Sequence, residues 1–160
     1  MGKNFHLVIN HSTSLRIGDK APDFAGKDQD GNILSLKNMK GEKVVLFFYP
    51  KDDTPGCTAE ACNLRDNYVL LKKKGYKIVG VSADDEAKHK KFIEKYELPF
   101  PLIADVDHTI IKAYDVWGRK QFMGRVFDGI VRTTFIIDEK GVLENIITTV
   151  KTKEHTSQII

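Results

Sequence analysis

A chain of 160 residues, 41% hydrophobic and 29% charged, suits one globular domain with an adequate core and excludes a disordered or fibrous polymer. Its 25 basic and 22 acidic residues leave a net charge of +3, too small and too evenly spread to point to nucleic acid or an anionic membrane as partner. No stretch approaches the roughly 20 apolar residues of a membrane span, the start is neither a secretory signal nor, with His6 in place of Ser or Thr, a myristoylation site, and two cysteines cannot staple a small secreted fold, so the cytoplasm is the expected compartment.

The polar segment ending in His11-Ser12-Thr13-Ser14 reads as a leader over residues 1–14, ahead of a single domain over residues 15–160 with no internal repeat or linker. Asp28-Gln29-Asp30-Gly31-Asn32 reads as the turn of a short N-terminal β-hairpin. The run 43–49 is apolar on both faces, as a strand covered on both sides must be. Thr54 is then a candidate N-cap and Pro55 a first helical residue, with the helix expected to run to Lys74 before Gly75 ends it. Lys72-Lys73-Lys74 becomes a solvated helix end that complements the dipole. A second buried strand is expected over 76–83, a charged amphipathic helix over 85–97, a short strand over 101–104, and a helix capped by Asp107 through Tyr114. Two β runs, 132–137 and 142–150, are joined by the tight turn Asp138-Glu139-Lys140-Gly141. Together these elements predict an α/β fold, a mixed central sheet with helices on both faces.

The chemistry concentrates at Pro50-Lys51-Asp52-Asp53-Thr54-Pro55-Gly56-Cys57-Thr58-Ala59-Glu60-Ala61-Cys62, where the strand ends and the helix begins. In a reducing compartment a close cysteine pair is catalytic or redox-sensing more often than structural. Cys57 falls in the first helical turn, where free backbone N–H groups and the positive dipole end favour a thiolate. Magnitudes limit what this explains. Lowering a thiol pKa from about 8.5 to about 6 raises the thiolate fraction at neutral pH roughly 30-fold, but a Brønsted coefficient near 0.45 costs roughly tenfold in nucleophilicity. The net gain is about threefold, so a fast enzyme also needs groups that stabilise the transition state, such as the Thr54 hydroxyl and an arginine from elsewhere.

Five residues turn a helical side chain by roughly 140°, so Cys57 shares the core face with Ala61, Leu64, Tyr68 and Leu71 while Cys62 points elsewhere. In an intact helix their Cα atoms stand about 8 to 9 Å apart, beyond the roughly 7 Å that permits a disulfide. The pair can bond only if the first turns unwind.

Pro50-x-x-x-Thr54-x-x-Cys57 resembles the peroxiredoxin active-site pattern, and the extension Thr58-x-Glu60-x-Cys62 is similar to the bacterioferritin comigratory protein, or peroxiredoxin Q, subgroup. The likeness continues through Gly18-Asp19-Lys20-Ala21-Pro22-Asp23-Phe24, Val116-Trp117-Gly118 and Phe122-Met123-Gly124 to Arg132 ahead of Phe135-Ile136-Ile137-Asp138. This resemblance implies a thioredoxin-like fold and a peroxidase that reduces hydrogen peroxide and organic hydroperoxides. It implies that Cys57 is the peroxidatic cysteine and Cys62 the resolving one, closing an intramolecular disulfide. Thr54 and Arg132 would orient the peroxide, Pro50 would shield the thiolate and Glu60 would support the loop. Thioredoxin or a similar dithiol would be the reductant, with no cofactor and no metal, and the chain is expected to be a monomer, with a dimer as the alternative. A final stretch shorter than in relatives and the extra leader residues bear on oligomeric state.

Competing assignments are weaker. Arg119 and Arg125 do not match the family position of the anion-binding arginine, and solvation is their expected state. His6, His11, His89, His108 and His155 show no metal-ligand spacing with the cysteines, Asp105-Val106-Asp107 reads as helix capping rather than a calcium loop, and Trp117 reads as core or loop anchor. Without a Gly-rich phosphate loop, nucleotide or NADPH binding is not expected. A disulfide reductase would carry Cys-x-x-Cys, absent here. A peroxide sensor or holdase without efficient turnover is the remaining alternative.

Overall fold

The computed structural model describes residues 10–160; residues 1–9, including His6 and most of the expected leader, lie outside the described residues. The end of the leader rests on the domain. His11 donates its backbone N–H to the Arg119 carbonyl (2.7 Å), the Thr13 hydroxyl donates to the Tyr114 carbonyl (2.7 Å), and the Ser14 N–H donates to Asp115 Oδ2 (2.8 Å).

The first hairpin pairs β1 (Ala25–Lys27) with β2 (Ile33–Ser35) around the expected turn, whose Asp28 Oδ1 accepts the N–H groups of Asp30 and Asn32. β3 (Lys43–Phe48) leads into α1 (Pro55–Asp66) and α2 (Tyr68–Lys73), then β4 (Tyr76–Ser82), α3 (Glu86–Tyr96), β5 (Leu102–Ala104) and α4 (Thr109–Ala113). A second hairpin, β6 (Trp117–Phe122) with β7 (Arg125–Ile130), precedes β8 (Thr133–Ile137), β9 (Leu143–Ile147) and α5 (His155–Ile159).

The central sheet has the order β5-β4-β3-β8-β9, with β3, β4 and β5 parallel and β8 and β9 antiparallel to their neighbours. Alternate residues of β3 enter two separate cores. Val44, Leu46 and Phe48 pack with Phe24, Leu36, Ile110, Ile111 and Tyr114 beneath α4 and the first hairpin. Val45, Phe47 and Tyr49 pack with Cys57, Ala61, Leu64, Leu71, Phe92 and Ile159 from the remaining helices. The expected mixed sheet with helices on both faces is therefore present, and β3 delivers the chain to α1 from its centre.

Three expectations need correction. The long helix is broken at Asn67, which adopts φ −108° and whose side-chain amide donates to the Asn63 carbonyl (2.9 Å), competing with the backbone ladder. The helix after β5 takes its main cap from buried Asp105, whose carboxylate accepts the N–H groups of Ile110 (3.2 Å) and Ile111 (2.7 Å); Asp107 accepts only that of Thr109. The last β run stops at Ile147, and the chain turns into α5.

Candidate active site

The segment between β3 and α1 is held from α3. The Tyr49 hydroxyl donates to Asp52 Oδ1 (2.5 Å), Asp52 Oδ2 lies 2.7 Å from His89 Nδ1, and His89 Nε2 donates to the Ile103 carbonyl (2.9 Å). The Asp52 N–H donates to Asp84 Oδ2, which also accepts from the Ser82 hydroxyl. Asp53, at φ +57°, accepts from Lys95 (2.8 Å) and from the Tyr96 hydroxyl (2.6 Å). Asp52, Asp84 and His89 bring ligand-type atoms within 4.8 Å of one another, a cluster the sequence reading missed because Asp52 lies 32 positions before Asp84 in the chain. Their hydrogen bonds make it a clamp on the loop.

Thr54 occupies the N-cap by its backbone, with φ −100° and ψ 156°, and its carbonyl accepts the first helical bond from Thr58 N–H (2.8 Å). Its hydroxyl does not cap the helix. It donates to the Lys51 carbonyl (2.9 Å), which leaves the oxygen lone pairs as acceptors. Pro50 follows Tyr49, half-buried.

Cys57 lies in the first turn of α1, 2% exposed, at the edge of the second core. Arg132, from the short connection between β7 and β8, reaches it with Nη2, 3.3 Å from Sγ, while Nη1 donates to Glu60 Oε1 at 2.7 Å. Gly56 leaves room for this approach, since a Cβ there would stand 3.1 Å from Arg132 Nη2 and the guanidinium would have to give by a few tenths of an ångström. Glu60, three residues beyond Cys57, is wholly buried, and it holds Arg132. Burial pushes its carboxyl up to about 7 against the opposing pull of Arg132. Burial alone would weaken the guanidinium charge, but Glu60 and Cys57 more than offset it, and Arg132 is held further above its ordinary value. Lys120, on β6, donates to the Ile130 carbonyl (2.6 Å) and is pushed down by burial and by Arg132.

The structure thus brings Cys57 and Arg132 together, adds Glu60, and keeps Cys62 apart: half-buried, unbonded, and on the same unbroken helix, as the 140° offset predicts. Arg119 pairs with Asp128 on the exposed second hairpin, and Arg125 is exposed there. Trp117 is partly buried against His108, with ring centroids 4.6 Å apart. The Glu60 side chain also meets His155 from α5, a neighbour that no spacing in the sequence announces.

The family described as AhpC/TSA matches residues 17–146. The chain is 44% identical to peroxiredoxin Bcp of Escherichia coli over 146 residues, 91% of this chain and 94% of that protein. A peroxiredoxin Q of Xanthomonas campestris has a similar structure, with TM-score 0.81 and 32% identity, covering 92% of this chain and 93% of that one. So does the bacterioferritin comigratory protein of the same organism, solved as trapped intermediate and ligand complexes to explain its alkyl peroxide reduction activity, with TM-score 0.81 and 31% identity, over 92% and 94% of the two chains.

Proposed function

The chain belongs to the AhpC/TSA family and is a peroxiredoxin of thioredoxin-like fold, a thiol-dependent peroxidase, and from that premise we propose that Cys57 is the thiol that attacks the peroxide, Cys62 the thiol that resolves the product, and Arg132 and Thr54 the groups that orient the substrate. The observation that carries this reading is the Arg132 Nη2 to Cys57 Sγ contact of 3.3 Å in the first turn of α1.

Arg132 donates to a peroxide oxygen lying over Sγ, and the Thr54 hydroxyl, already committed as donor to Lys51, accepts the peroxide O–H. The Cys57 thiolate attacks the hydroxyl oxygen of ROOH. An S–O bond forms, the O–O bond breaks, and its electron pair leaves with RO⁻, which Arg132 stabilises as charge develops and which takes a proton from water to give ROH. Cys57 is left as a neutral sulfenic acid. Pro50 shields the thiolate from bulk water.

For Cys62 to finish the cycle its thiolate must reach the Cys57 sulfur, forming the S–S bond as the S–O bond breaks and hydroxide leaves, to take a proton from solvent and become water. The helix forbids this while intact, because the Cα atoms stand about 8 to 9 Å apart. Asn63 anchors the second half of α1: its amide donates to the Lys153 carbonyl (2.9 Å) and its Oδ1 accepts from Thr156 N–H (2.8 Å). The first turns are therefore the part that opens. Thioredoxin or a similar dithiol then reduces the disulfide by exchange. We place the protein in the cytoplasm as a monomer of one domain over residues 15–160; among the described residues no helix is long and apolar enough to cross a membrane.

Stopped-flow consumption of hydrogen peroxide and of an organic hydroperoxide, with a thioredoxin system and with Cys57→Ser as control, tests the reading. Cys57→Ser abolishes turnover, and mass spectrometry of the peroxide-treated protein shows one chain lighter by two hydrogens. Residual turnover in the variant, or a product that is mainly an intermolecular dimer, overturns the assignment of Cys57 or of Cys62 respectively. A sensor would be oxidised once and stop.

A further inference from the structure

Glu60 Oε2 has no hydrogen-bond partner among the described residues, although it is fully buried. Such a carboxylate oxygen is costly unless it carries a proton or faces one. What it faces is His155 Nε2, 3.4 Å away and itself wholly buried.

The surroundings fix the other side of that imidazole. The Gln158 Nε2 group donates to the Thr149 carbonyl (2.8 Å) and its Oε1 accepts from Lys151 N–H (2.9 Å), so the amide can present only an acceptor to His155 Nδ1 at 2.8 Å. Nδ1 therefore carries a hydrogen, and Nε2 is the nitrogen whose state is open. It also meets the Thr134 hydroxyl at 2.8 Å, a group that donates or accepts by rotating. One proton can sit on Glu60 Oε2 with a neutral imidazole, or on His155 Nε2 with a carboxylate, and in either arrangement the pair is neutral and satisfied.

Resting on the reading that Cys57 and Arg132 do the peroxide chemistry, we propose that His155 is a positioning residue of that reaction: with Glu60 it holds one exchangeable proton, and that proton decides how much of the Arg132 charge is left for Cys57. With the proton in place, a thiolate, the guanidinium and the pair sum to zero. Without it the buried site carries one excess negative charge, placed on the group that shares Arg132 with the sulfur. The thiolate and the negative oxygen formed during attack are both favoured by the protonated pair. Conversion of the thiolate to neutral sulfenic acid weakens the pair's hold on its proton by the same coupling, since linkage is reciprocal.

The charged groups facing the pair are Cys57 on the same helix, Arg132 from the β7–β8 connection, and Lys120 on β6, which acts through Arg132 and Cys57. Lys151, Lys153 and Glu154, next to His155 in the chain, are exposed. Burial shifts both members toward neutrality, Glu60 upward and His155 downward.

The test is the second-order rate constant for hydrogen peroxide from about pH 5 to about pH 9 by stopped flow, in the wild type, His155→Gln and Glu60→Gln, alongside ¹⁵N-histidine NMR of the reduced wild type. A bell-shaped profile is expected, rising as the thiolate forms and falling about tenfold as the pair loses its proton, an effect in reach of one unit charge three residues away on a helix. Glu60→Gln removes the falling limb. His155→Gln moves it to lower pH, because one of two sites for the proton is gone and the Gln amide favours the carboxylate. The His155 Nε2 resonance titrates along the same limb. A profile without a falling limb, a limb that His155→Gln leaves in place, or an Nε2 that does not titrate overturns the proposal; the NMR arm on the wild type stands even if a variant fails to fold. No reaction of the wild type at any pH would instead remove the peroxidase reading itself.

Discussion

Burying Glu60 should make stability depend on pH with a sign opposite to that of most protein carboxylates. The folded carboxyl is pushed up to about 7 from its ordinary value of 4.5, with burial as the main cause. The native state thus binds the Glu60 proton more tightly than the unfolded chain does. Its stabilising contribution is fully present below about pH 4.5 and is lost as the pH rises through about 7. A displacement of about 2.5 units at about 1.4 kcal/mol each comes to about 3 kcal/mol. Glu60→Gln keeps an oxygen for Arg132 Nη1 but removes the titration. Urea unfolding of the two reduced proteins at pH 5 and at pH 8 isolates the effect, since other titrating groups largely cancel in the difference. The Gln variant should gain on the wild type by about 2.5 kcal/mol between the two conditions, a little less than the whole because the unfolded carboxyl is already mostly ionised at pH 5. A wild-type minus variant difference that is the same at both pH values would refute the argument, for it would mean that Glu60 does not change protonation in that window.

Three further outcomes follow from the site. Arg132→Met should slow the peroxide reaction by about 100-fold to 1,000-fold, the loss typical of a donor aimed at developing oxygen charge; a loss fully explained by a smaller thiolate fraction, measured by ultraviolet titration, would leave Arg132 no part in the transition state. Gly56→Ala should leave stability unchanged or raise it by up to about 1 kcal/mol, yet slow the reaction about fivefold because the new Cβ displaces Arg132 Nη2; an unchanged rate would show that the guanidinium does not need its present place. Hydrogen exchange over residues 55–64 should accelerate on oxidation while β3 stays protected, and equal protection in both redox states would rule out unwinding of α1.

The central sheet was legible because β3, β4 and β8 are buried on both faces and so appear as unbroken apolar runs, and the helix start was legible because Thr54 and Pro55 act locally. The second hairpin was not. Its strands are mostly exposed, so neither an apolar run nor clean alternation marks them, and its turn places Met123 at φ +52° before Gly124 at φ +78°, where Asn or Asp would have given the usual signal. The break at Asn67 was hidden because a side chain bonding back to the carbonyl four residues earlier leaves the helical periodicity of Leu64, Tyr68 and Leu71 intact. At the site, Cys57 and Thr54 could be named from motif chemistry, and Arg132 from the family resemblance. His155 could not, because its meeting with Glu60 depends on how α5 returns across α1, and nothing in a five-residue helix near the end of the chain encodes that locally.

On the proposed cycle a single helix holds the thiolate before attack and then lets its first turns go, and the change of charge at sulfur orders these events. While Cys57 is a thiolate, its bond from Arg132 is charge-assisted and is worth about 1.5–3 kcal/mol net; once the sulfur is a neutral sulfenic acid the same contact is worth about 0.5–1.5 kcal/mol. The difference, about 1 to 2 kcal/mol, shifts the opening equilibrium of the first turn by roughly 5- to 30-fold. Opening is thus suppressed when Cys62 has nothing to attack and released when it has. The anchors that Asn63 makes to Lys153 and Thr156 involve no titrating or redox-active atom, so the release is expected in the part of α1 that carries Cys57. Glu60 acts on the closed side of this balance, because its bond to Arg132 keeps the guanidinium over the sulfur.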